Sequence, residues 1–216
     1  MTGEPAAERP AQRPEDRAHV TGDPPLDRTP MTEDEIRQAW VVEPPRLDGQ
    51  IALAEYDPAW PELFGREERR IRGALGGTVV RLEHTGSTSV PGLAAKPIID
   101  MLLVVPDSGD EPSYVPALEA AGYRLVIREP DWHEHRVFKG PDTNVNLHVL
   151  SVGSPEIDRI IGFRDWLRAH DEDRALYERR KRELAARRWA YVQNYADAKT
   201  AVVESIIAKA MAARDA

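Results

Sequence analysis

Four small polar residues near the middle of the chain have the types and spacing of a phosphate-binding turn. The run is Gly86, Ser87, Thr88 and Ser89, and it follows a β-branched apolar segment. A glycine lets the backbone approach a phosphate closely, while amides and hydroxyls donate to its oxygens. A Gly-Ser pair alone is most often an ordinary turn, and the chain has no Gly-x-x-x-x-Gly-Lys-Ser/Thr loop. The interpretation therefore depends on the residues that come after the turn.

A lysine and an aspartate come next along the chain. Lys96 precedes a nearly continuous apolar run, Ile98–Val105, and Asp100 is the single charge inside that run. A carboxylate among apolar side chains is costly unless it is paired or binds a metal. Asp100 could be bonded to backbone amides or to Lys96. We favour the alternative, in which it binds Mg²⁺ beside phosphate groups that Lys96 helps to neutralise.

A histidine has a comparable position in another apolar segment. His148 stands between Leu147 and Val149, and Asn146 shares its face of the predicted strand. A lone histidine in a strand is often a satisfied core residue. Alternatively, His148 contacts a metal or a phosphate beside Asp100 on a neighbouring strand, with Asn146 in a supporting role.

Further candidates lie just before this segment. His133 and His135 have the spacing of two zinc ligands on one strand face. No third ligand is evident, and we expect both histidines to lie on a loop. Arg136 is the stronger candidate here, as a donor to a phosphate group.

Cationic side chains recur at helical spacing in the C-terminal part. Arg164 and Arg168 are four residues apart, as are Tyr177 and Lys181, and Asp165 could hold one of the cations. Ion pairs on a solvated helix surface explain this spacing equally well. The alternative is a cationic wall over phosphate groups, with Lys181 closest to the reacting group and Tyr177 beside it.

The hydrophobic pattern predicts an α/β sheet domain followed by a C-terminal helical section. Strands are predicted at 50–56, 78–82, 98–105, 123–127, 136–139 and 145–150. Helices are predicted at 33–40, 58–75, 116–121, 154–170, 171–188 and 194–212. We place the domain at residues 46–214, with the sheet part at about 46–152 and the helical part at about 153–214.

Residues 1–45 are interpreted as a Pro-rich extension. Residues 1–30 contain six prolines and few apolar side chains, so we expect disorder there and one short helix near 33–40. Such a tail could bind a protein partner. The net charge of −8 disfavours a broad nucleic-acid surface. The absence of cysteine excludes disulfides and thiolate catalysis. No apolar run is long enough for a membrane span. We expect a cytoplasmic protein.

The run Glu83–Asp100, EHTGSTSVPGLAAKPIID, resembles the signature of the GrpB family. Further similarities, which extend the resemblance over about residues 48–212, are Tyr56–Trp60, Asn146–Val149, Phe163–His170, Tyr177 with Lys181, and Tyr195–Lys199. The resemblance implies a nucleotidyltransferase (polymerase-β-like) fold of class α/β (α+β), which has a mixed β-sheet with flanking helices. That superfamily has a Gly-Ser turn, then a strand with two alternating carboxylates, then a third carboxylate on another strand. Two metal ions bridge these acids and align an attacking hydroxyl with the α-phosphate.

This chain departs from the superfamily pattern at two of the three acids. Asp100 matches the first acid, Leu102 stands at the second and His148 at the third. Asp100 and His148 could hold a single metal ion, or Glu83 or His84 could supply a side chain from the preceding strand.

Two functions remain open. In the first, Asp100, His148 and Lys96 are catalytic residues of an enzyme that binds a nucleoside triphosphate with Mg²⁺. This enzyme transfers a nucleotidyl group to a small acceptor, or adenylates a carboxylate. In the second, the same pocket binds a nucleotide or a CoA-like ligand without turnover, which the missing acids favour.

Overall fold

The computed structural model describes residues 29–214, so the disorder predicted for the residues before position 29 lies outside the described part. The five strands of this part are β1 (Arg81–Thr85), β2 (Ile99–Val105), β3 (Arg124–Glu129), β4 (His135–Lys139) and β5 (Val145–Ser151). They form one mixed sheet in the order β1-β2-β5-β4-β3. Strands β2 and β5 are parallel, and the other neighbouring pairs are antiparallel. The predicted fold class is confirmed.

Seven helices of the described part surround this sheet. They are α1 (Glu33–Ala39), α2 (Trp60–Leu75), α3 (Val115–Ala120), α4 (Pro155–Ala169), α5 (Asp171–Ala185), α6 (Val192–Asp197) and α7 (Thr200–Arg214). Short 3₁₀ turns occupy 76–78, 87–89 and 111–113. Within residues 29–214, no helix has both the length and the apolar character needed to cross a membrane.

The two faces of the sheet carry different side chains because successive residues of a strand point to opposite sides. Met101 and Leu103 of β2 point to the face covered by α2 and α3, which holds the main apolar core. We call this the α2 face. Leu102 points to the opposite side, the α4 face, and packs there with Ile157 and Ile161 of α4. Asp100 lies on the α4 face as well, two residues before Leu102.

The connection between β1 and β2 packs against the helical section. Val90 and Leu93 of this connection form an apolar cluster with Leu167, Tyr177 and Ile206, from α4, α5 and α7. Burial of this cluster fixes the turn at residues 87–89 relative to α5. Side chains of α5 can therefore reach the end of β1 and the start of β2.

Three local predictions were wrong. Residues 50–56 form no strand, since Ala54 makes a single antiparallel bridge with Ala95, and Ile51 donates its N–H to the carbonyl of Ala185, 3.3 Å away. His135 lies in β4 rather than on a loop, and only His133 lies in the turn before it, with a φ of +54°. The predicted helix at 194–212 is two helices, α6 and α7.

The short helix near residue 33 begins at a capping box. Thr32 Oγ1 accepts from the N–H of Glu35 at 3.2 Å, and Glu35 Oε2 accepts from the N–H of Thr32 at 2.7 Å. Ile36 is buried, and Trp40 forms an antiparallel bridge with Ile127 of the edge strand β3. Residues 32–40 thus pack against the edge of the sheet.

Candidate functional site

Gly86 and Asp100 are in direct contact at the end of β1. Gly86 has φ +64° and ψ −173°, a conformation that side chains other than hydrogen rarely permit. A Cβ atom on Gly86 would lie 2.3 Å from Asp100 Oδ2. Glycine is therefore required at position 86 for two reasons, the backbone conformation and the carboxylate packed against it.

A polar cavity of about 200 Å³ lies beside this contact. Its lining includes Gly86, Ser87, Thr88, Lys96, Asp100, Tyr177, Lys181, Tyr195 and Lys199. We call it the lysine cavity, because three ammonium groups face a single carboxylate within it. The structure brings most of the predicted site residues together here, namely Gly86, Ser87, Thr88, Lys96, Asp100, Tyr177 and Lys181. Ser89 lines a different cavity.

Lys181 on α5 is the most enclosed of these cations. It is 2% exposed, donates to Ser87 Oγ at 3.0 Å and to the carbonyl oxygen of Ala94, and lies 4.9 Å from the centre of the Tyr177 ring. Burial, followed by repulsion from Lys199, lowers the pKa of Lys181 to about 7. The ammonium group thus sits at the turn with few compensating negative charges.

Two more lysines share this environment. Burial lowers the pKa of Lys199 to about 8, and burial together with repulsion from Lys199 lowers that of Lys96 to about 8. Both ammonium groups lie over the Tyr195 ring, at 4.6 Å for Lys199 and 5.7 Å for Lys96. Partly desolvated cations that repel one another are stabilised by an anion. The cavity therefore suits a ligand with several negative charges, such as a polyphosphate.

The Tyr195 hydroxyl is a further candidate donor. It is buried and has no hydrogen-bond partner within residues 29–214. Burial raises the pKa of Tyr195, so the hydroxyl keeps its proton. A buried hydroxyl without a partner costs free energy, which a ligand oxygen in the adjoining lysine cavity would recover.

Anion binding should be coupled to proton uptake. An ordinary lysine has a pKa of 10.5, whereas the pKa of Lys181 is about 7. A bound anion stabilises the charged ammonium and raises the pKa of Lys181. Binding above pH 7 is therefore accompanied by proton uptake. We expect inorganic phosphate to bind with net proton uptake at pH 8.5, and its affinity to fall from pH 7 to pH 10. Calorimetry in two buffers of different ionisation enthalpy measures the uptake. Equal apparent enthalpies in both buffers would contradict the assignment.

Asp100 is oriented by the neighbouring strands β5 and β4. Asn146 Nδ2 donates to Asp100 Oδ1 at 2.8 Å, and Asn146 Oδ1 in turn accepts from Lys139. His148 Nε2 lies 4.0 Å from the same Asp100 oxygen, while its Nδ1 is 3.0 Å from His135 Nε2. Burial, and then His135, lowers the pKa of His148 to about 4, so its imidazole is neutral at pH 7.

These residues decide which metal arrangement fits. Leu102, at the second acid position, is fully buried beneath α4, and residues 29–214 contain no group of three histidine or acidic side chains suited to a metal. A two-ion site therefore does not fit this chain. A single Mg²⁺ does fit, because one carboxylate suffices when ligand phosphates and water complete its octahedron. Asp100 would hold it, with the neutral His148 beside it.

Arg136 is not brought to the site, which corrects its expected role as a phosphate donor. It pairs across the ladder with Val149, on the α2 face, whereas Asp100 lies on the α4 face. Its guanidinium Nε donates to Glu111 Oε1 at 2.6 Å. His84 also points to the α2 face, where its ring stacks on Phe64 at 5.0 Å. Neither side chain reaches Asp100.

Arg164 and Arg168 of α4 line a separate cavity of about 550 Å³ rather than the lysine cavity. Arg164 donates to Glu83 Oε2 at 2.7 Å and to Asp165, so Glu83 is held in an ion pair. Arg168 donates to the carbonyl oxygen of Ser89 at 2.8 Å. The two arginines therefore hold the turn and the strand before it, and they do not line the lysine cavity. This corrects their expected place in a cationic wall over the phosphates.

Lys139, Lys199 and Tyr195 were not predicted as site residues from the sequence. A signal was present in the composition, since the chain has 5 lysines among 29 basic residues. Four of those lysines surround Asp100, and the fifth, Lys209, pairs with Asp173 at 2.7 Å. Lysine is uncommon among the basic residues of this chain, and its positions therefore indicate the site as effectively as the sequence motif does.

Comparisons with known proteins find relatives of this chain in sequence and in structure. The family profile described as GrpB protein matches residues 50–209. The chain is 59% identical over 184 residues to the UPF0157 protein BH1888 of Halalkalibacterium halodurans, covering 85% of this chain and 94% of that one. It is 47% identical over 165 residues to the UPF0157 protein SCO7215 of Streptomyces coelicolor, covering 76% and 87%. The crystal structure of the conserved protein GrpB from Enterococcus faecalis superposes with a TM-score of 0.68 at 31% identity, over 76% of this chain and all of that one.

Proposed function

Because this chain belongs to the GrpB family, of nucleotidyltransferase-like fold, we propose that it binds a nucleoside triphosphate and transfers the nucleotidyl group to a small acceptor. The observation that supports this is the lysine cavity, where three partly desolvated ammonium groups face Asp100 beside the Gly86 turn. A nucleoside triphosphate as substrate implies a cytoplasmic location.

The proposed reaction uses the lysines as electrostatic groups. The acceptor's oxygen or nitrogen attacks the α-phosphorus, the bond from that phosphorus to the bridging oxygen breaks, pyrophosphate leaves, and the acceptor's proton passes to solvent. Lys96, Lys181 and Lys199 hold the oxygens of the leaving group, where negative charge develops. With ATP as the nucleotide and a carboxylate as acceptor, which has no proton to release, the same displacement of pyrophosphate gives an acyl adenylate.

Asp100 is proposed to hold Mg²⁺, with His148 beside it. When bound, the ion supplies Lewis-acid neutralisation of the α-phosphate. Asn146 fixes the rotamer of Asp100 through its hydrogen bond, and Lys139 fixes the amide of Asn146. These side chains orient the carboxylate before any ligand arrives.

The experiment is pyrophosphate release from each nucleoside triphosphate with Mg²⁺ and a panel of amines, alcohols and carboxylates. The Asp100→Asn variant keeps the size of the side chain and removes the charge, and we expect release to fall at least a hundredfold. The matched control is Asp142→Asn, an exposed aspartate paired with Arg70, which should retain wild-type release. Equal release from both variants would refute a role for Asp100.

A second candidate function is ligand binding without turnover. The observation that favours it is the buried Leu102, which removes one acid that two-ion catalysis requires. Saturable binding of a nucleoside triphosphate or a CoA-like ligand, with no pyrophosphate release from any combination in the panel, would establish this alternative.

A further inference from the structure

A second cavity adjoins the lysine cavity on the α4 face of the sheet. It has a volume of about 270 Å³, and we call it the apolar pocket. The two cavities share the side chains of Lys96, Ile98 and Ala196 as lining. A ligand in the apolar pocket would therefore end beside whatever occupies the lysine cavity.

The walls of the apolar pocket separate into an apolar part and a polar end. Apolar lining comes from Ile36, Trp40, Pro44, Pro45, Val126, Ile127, Val137 and Val192. Polar side chains converge at the end nearest Asp100, where Lys139, Asn146 and His148 line the floor. Elsewhere in the lining, the Tyr191 hydroxyl accepts from Arg46, and Gln193 donates to Asp197. The pocket thus matches an apolar body with one polar end.

The roof of the pocket is the segment ahead of residue 50. Val41 donates its N–H to the carbonyl of Val126 on β3 at 3.0 Å, and Leu47 donates to the carbonyl of Ala190 at 2.7 Å. These bonds hold the segment as a strap from the edge of the sheet to the loop before α6. The GrpB profile begins at residue 50. The similarity to BH1888, however, covers 184 residues, which is more than the chain contains from residue 50 onward. That relative therefore shares some of the strap.

We propose that the apolar pocket binds the acceptor, a small molecule with an aliphatic or aromatic body and a single hydroxyl or amine. This inference rests on the proposed function and names the acceptor's class. The volume is near the lower limit of small-molecule sites, roughly 300 Å³. The nucleophilic group points to His148 and Asp100, and the body lies between Trp40 and Val137.

A nucleobase is the less suitable occupant. Recognition of a base uses several hydrogen bonds to its edge, whereas among the side chains of Ile36, Trp40 and Pro44 the Trp40 indole N–H is the one polar group. Burying a base edge against such a wall would leave polar atoms without partners. A hydrocarbon surface has no such cost.

The test uses 5-fluorotryptophan-labelled full-length protein, whose five tryptophans give five ¹⁹F signals. The probe is 4-ethylphenol, an aromatic body with one hydroxyl, and glycerol is the comparison without an apolar body. We expect 4-ethylphenol to shift the Trp40 signal saturably and to leave the signal of Trp60, on the α2 face, unchanged. No shift at Trp40, or an equal shift by glycerol, would overturn the proposal.

Matched variants locate the binding. Pro45→Asp adds a charge to the exposed rim of the pocket, and Val42→Asp adds the same charge three residues away at an exposed position outside the lining. The dissociation constant of 4-ethylphenol should rise at least tenfold in the first variant and less than twofold in the second. Val137→Phe, which fills the floor, should also abolish the Trp40 shift. Equal affinities in all variants would overturn the assignment.

Two further measurements separate this proposal from the proposed function. Lys181→Met should lose ATP binding yet bind 4-ethylphenol with wild-type affinity, because Lys181 does not line the apolar pocket. If ATP does not bind the wild type while the Trp40 shift persists, the proposed function fails and the pocket assignment stands. If uncharged adenosine displaces 4-ethylphenol, the occupant is the nucleoside and the acceptor assignment is refuted.

Discussion

Replacing Lys181 by methionine is expected to lower the affinity for inorganic triphosphate about a hundredfold at pH 6.5. Lys181 is charged at that pH because its pKa is about 7, and it is 2% exposed. A charge-assisted hydrogen bond in such surroundings contributes roughly 2–3 kcal/mol to binding. Methionine preserves most of the side-chain length and removes the charge. Isothermal titration calorimetry of wild type and variant measures the difference.

The matched control is Lys209→Met. Lys209 lies on α7 outside the lysine cavity and pairs with Asp173, so the same loss of charge should change triphosphate affinity less than twofold. The melting temperature of Lys181→Met tests folding, and we expect no decrease, because an uncompensated buried ammonium is itself unfavourable. Equal losses in the two variants would show only a response to net charge, and the lysine cavity would not be the binding site.

The order of residues along the chain was enough to predict that the central residues of the candidate site lie together. Gly86, Lys96 and Asp100 fall in one short run, and a turn followed by an apolar strand brings such residues together through local connectivity alone. Lys181 was reached only by its helical spacing and the family resemblance. Its place at Ser87 results from the packing of the β1–β2 connection on α5, which no local pattern specifies.

The register of the sheet explains why Arg136 was misplaced. Arg136 and Lys139 are close in sequence and lie on one strand, yet Lys139 faces Asn146 on the α4 face, and Arg136 points to the α2 face. A shift of one residue reverses every side chain of a strand. The strand was predicted to begin at Arg136, but the sequence did not show which residues of the neighbouring strand pair with it. The face of the sheet to which Arg136 points could therefore not be assigned from the sequence.

Composition alone did not predict that residues 32–45 pack on the domain. The prolines and charges of this segment are typical of disorder, but Ile36 is buried and Trp40 bridges β3. Pro44 and Pro45 do not break the segment away from the domain, since both line the apolar pocket. A few apolar side chains are enough to fix a strap when a sheet edge offers backbone hydrogen bonds.

The carboxylate at the centre of the site also limits which residue can occupy position 86. Gly86→Ala is expected to lower the free energy of unfolding by about 2–5 kcal/mol, from roughly 1–2 kcal/mol of backbone strain and about 1–3 kcal/mol of overlap. The added Cβ would lie 2.3 Å from Asp100 Oδ2 and 2.8 Å from Asp100 Cβ, so Asp100 must move. Urea denaturation measures the loss.

Gly92→Ala separates the two causes in that prediction. Gly92 also has a positive φ, +76°, but a Cβ there would meet nothing within 4 Å. We therefore expect a loss of about 1–2 kcal/mol, from backbone strain alone. Phosphate binding should survive Gly92→Ala and be weakened by Gly86→Ala, because only the latter displaces the carboxylate beside the lysine cavity. If both variants unfold at the same urea concentration, the contact between Gly86 and Asp100 does not constrain the site, and the orientation proposed for Asp100 is wrong.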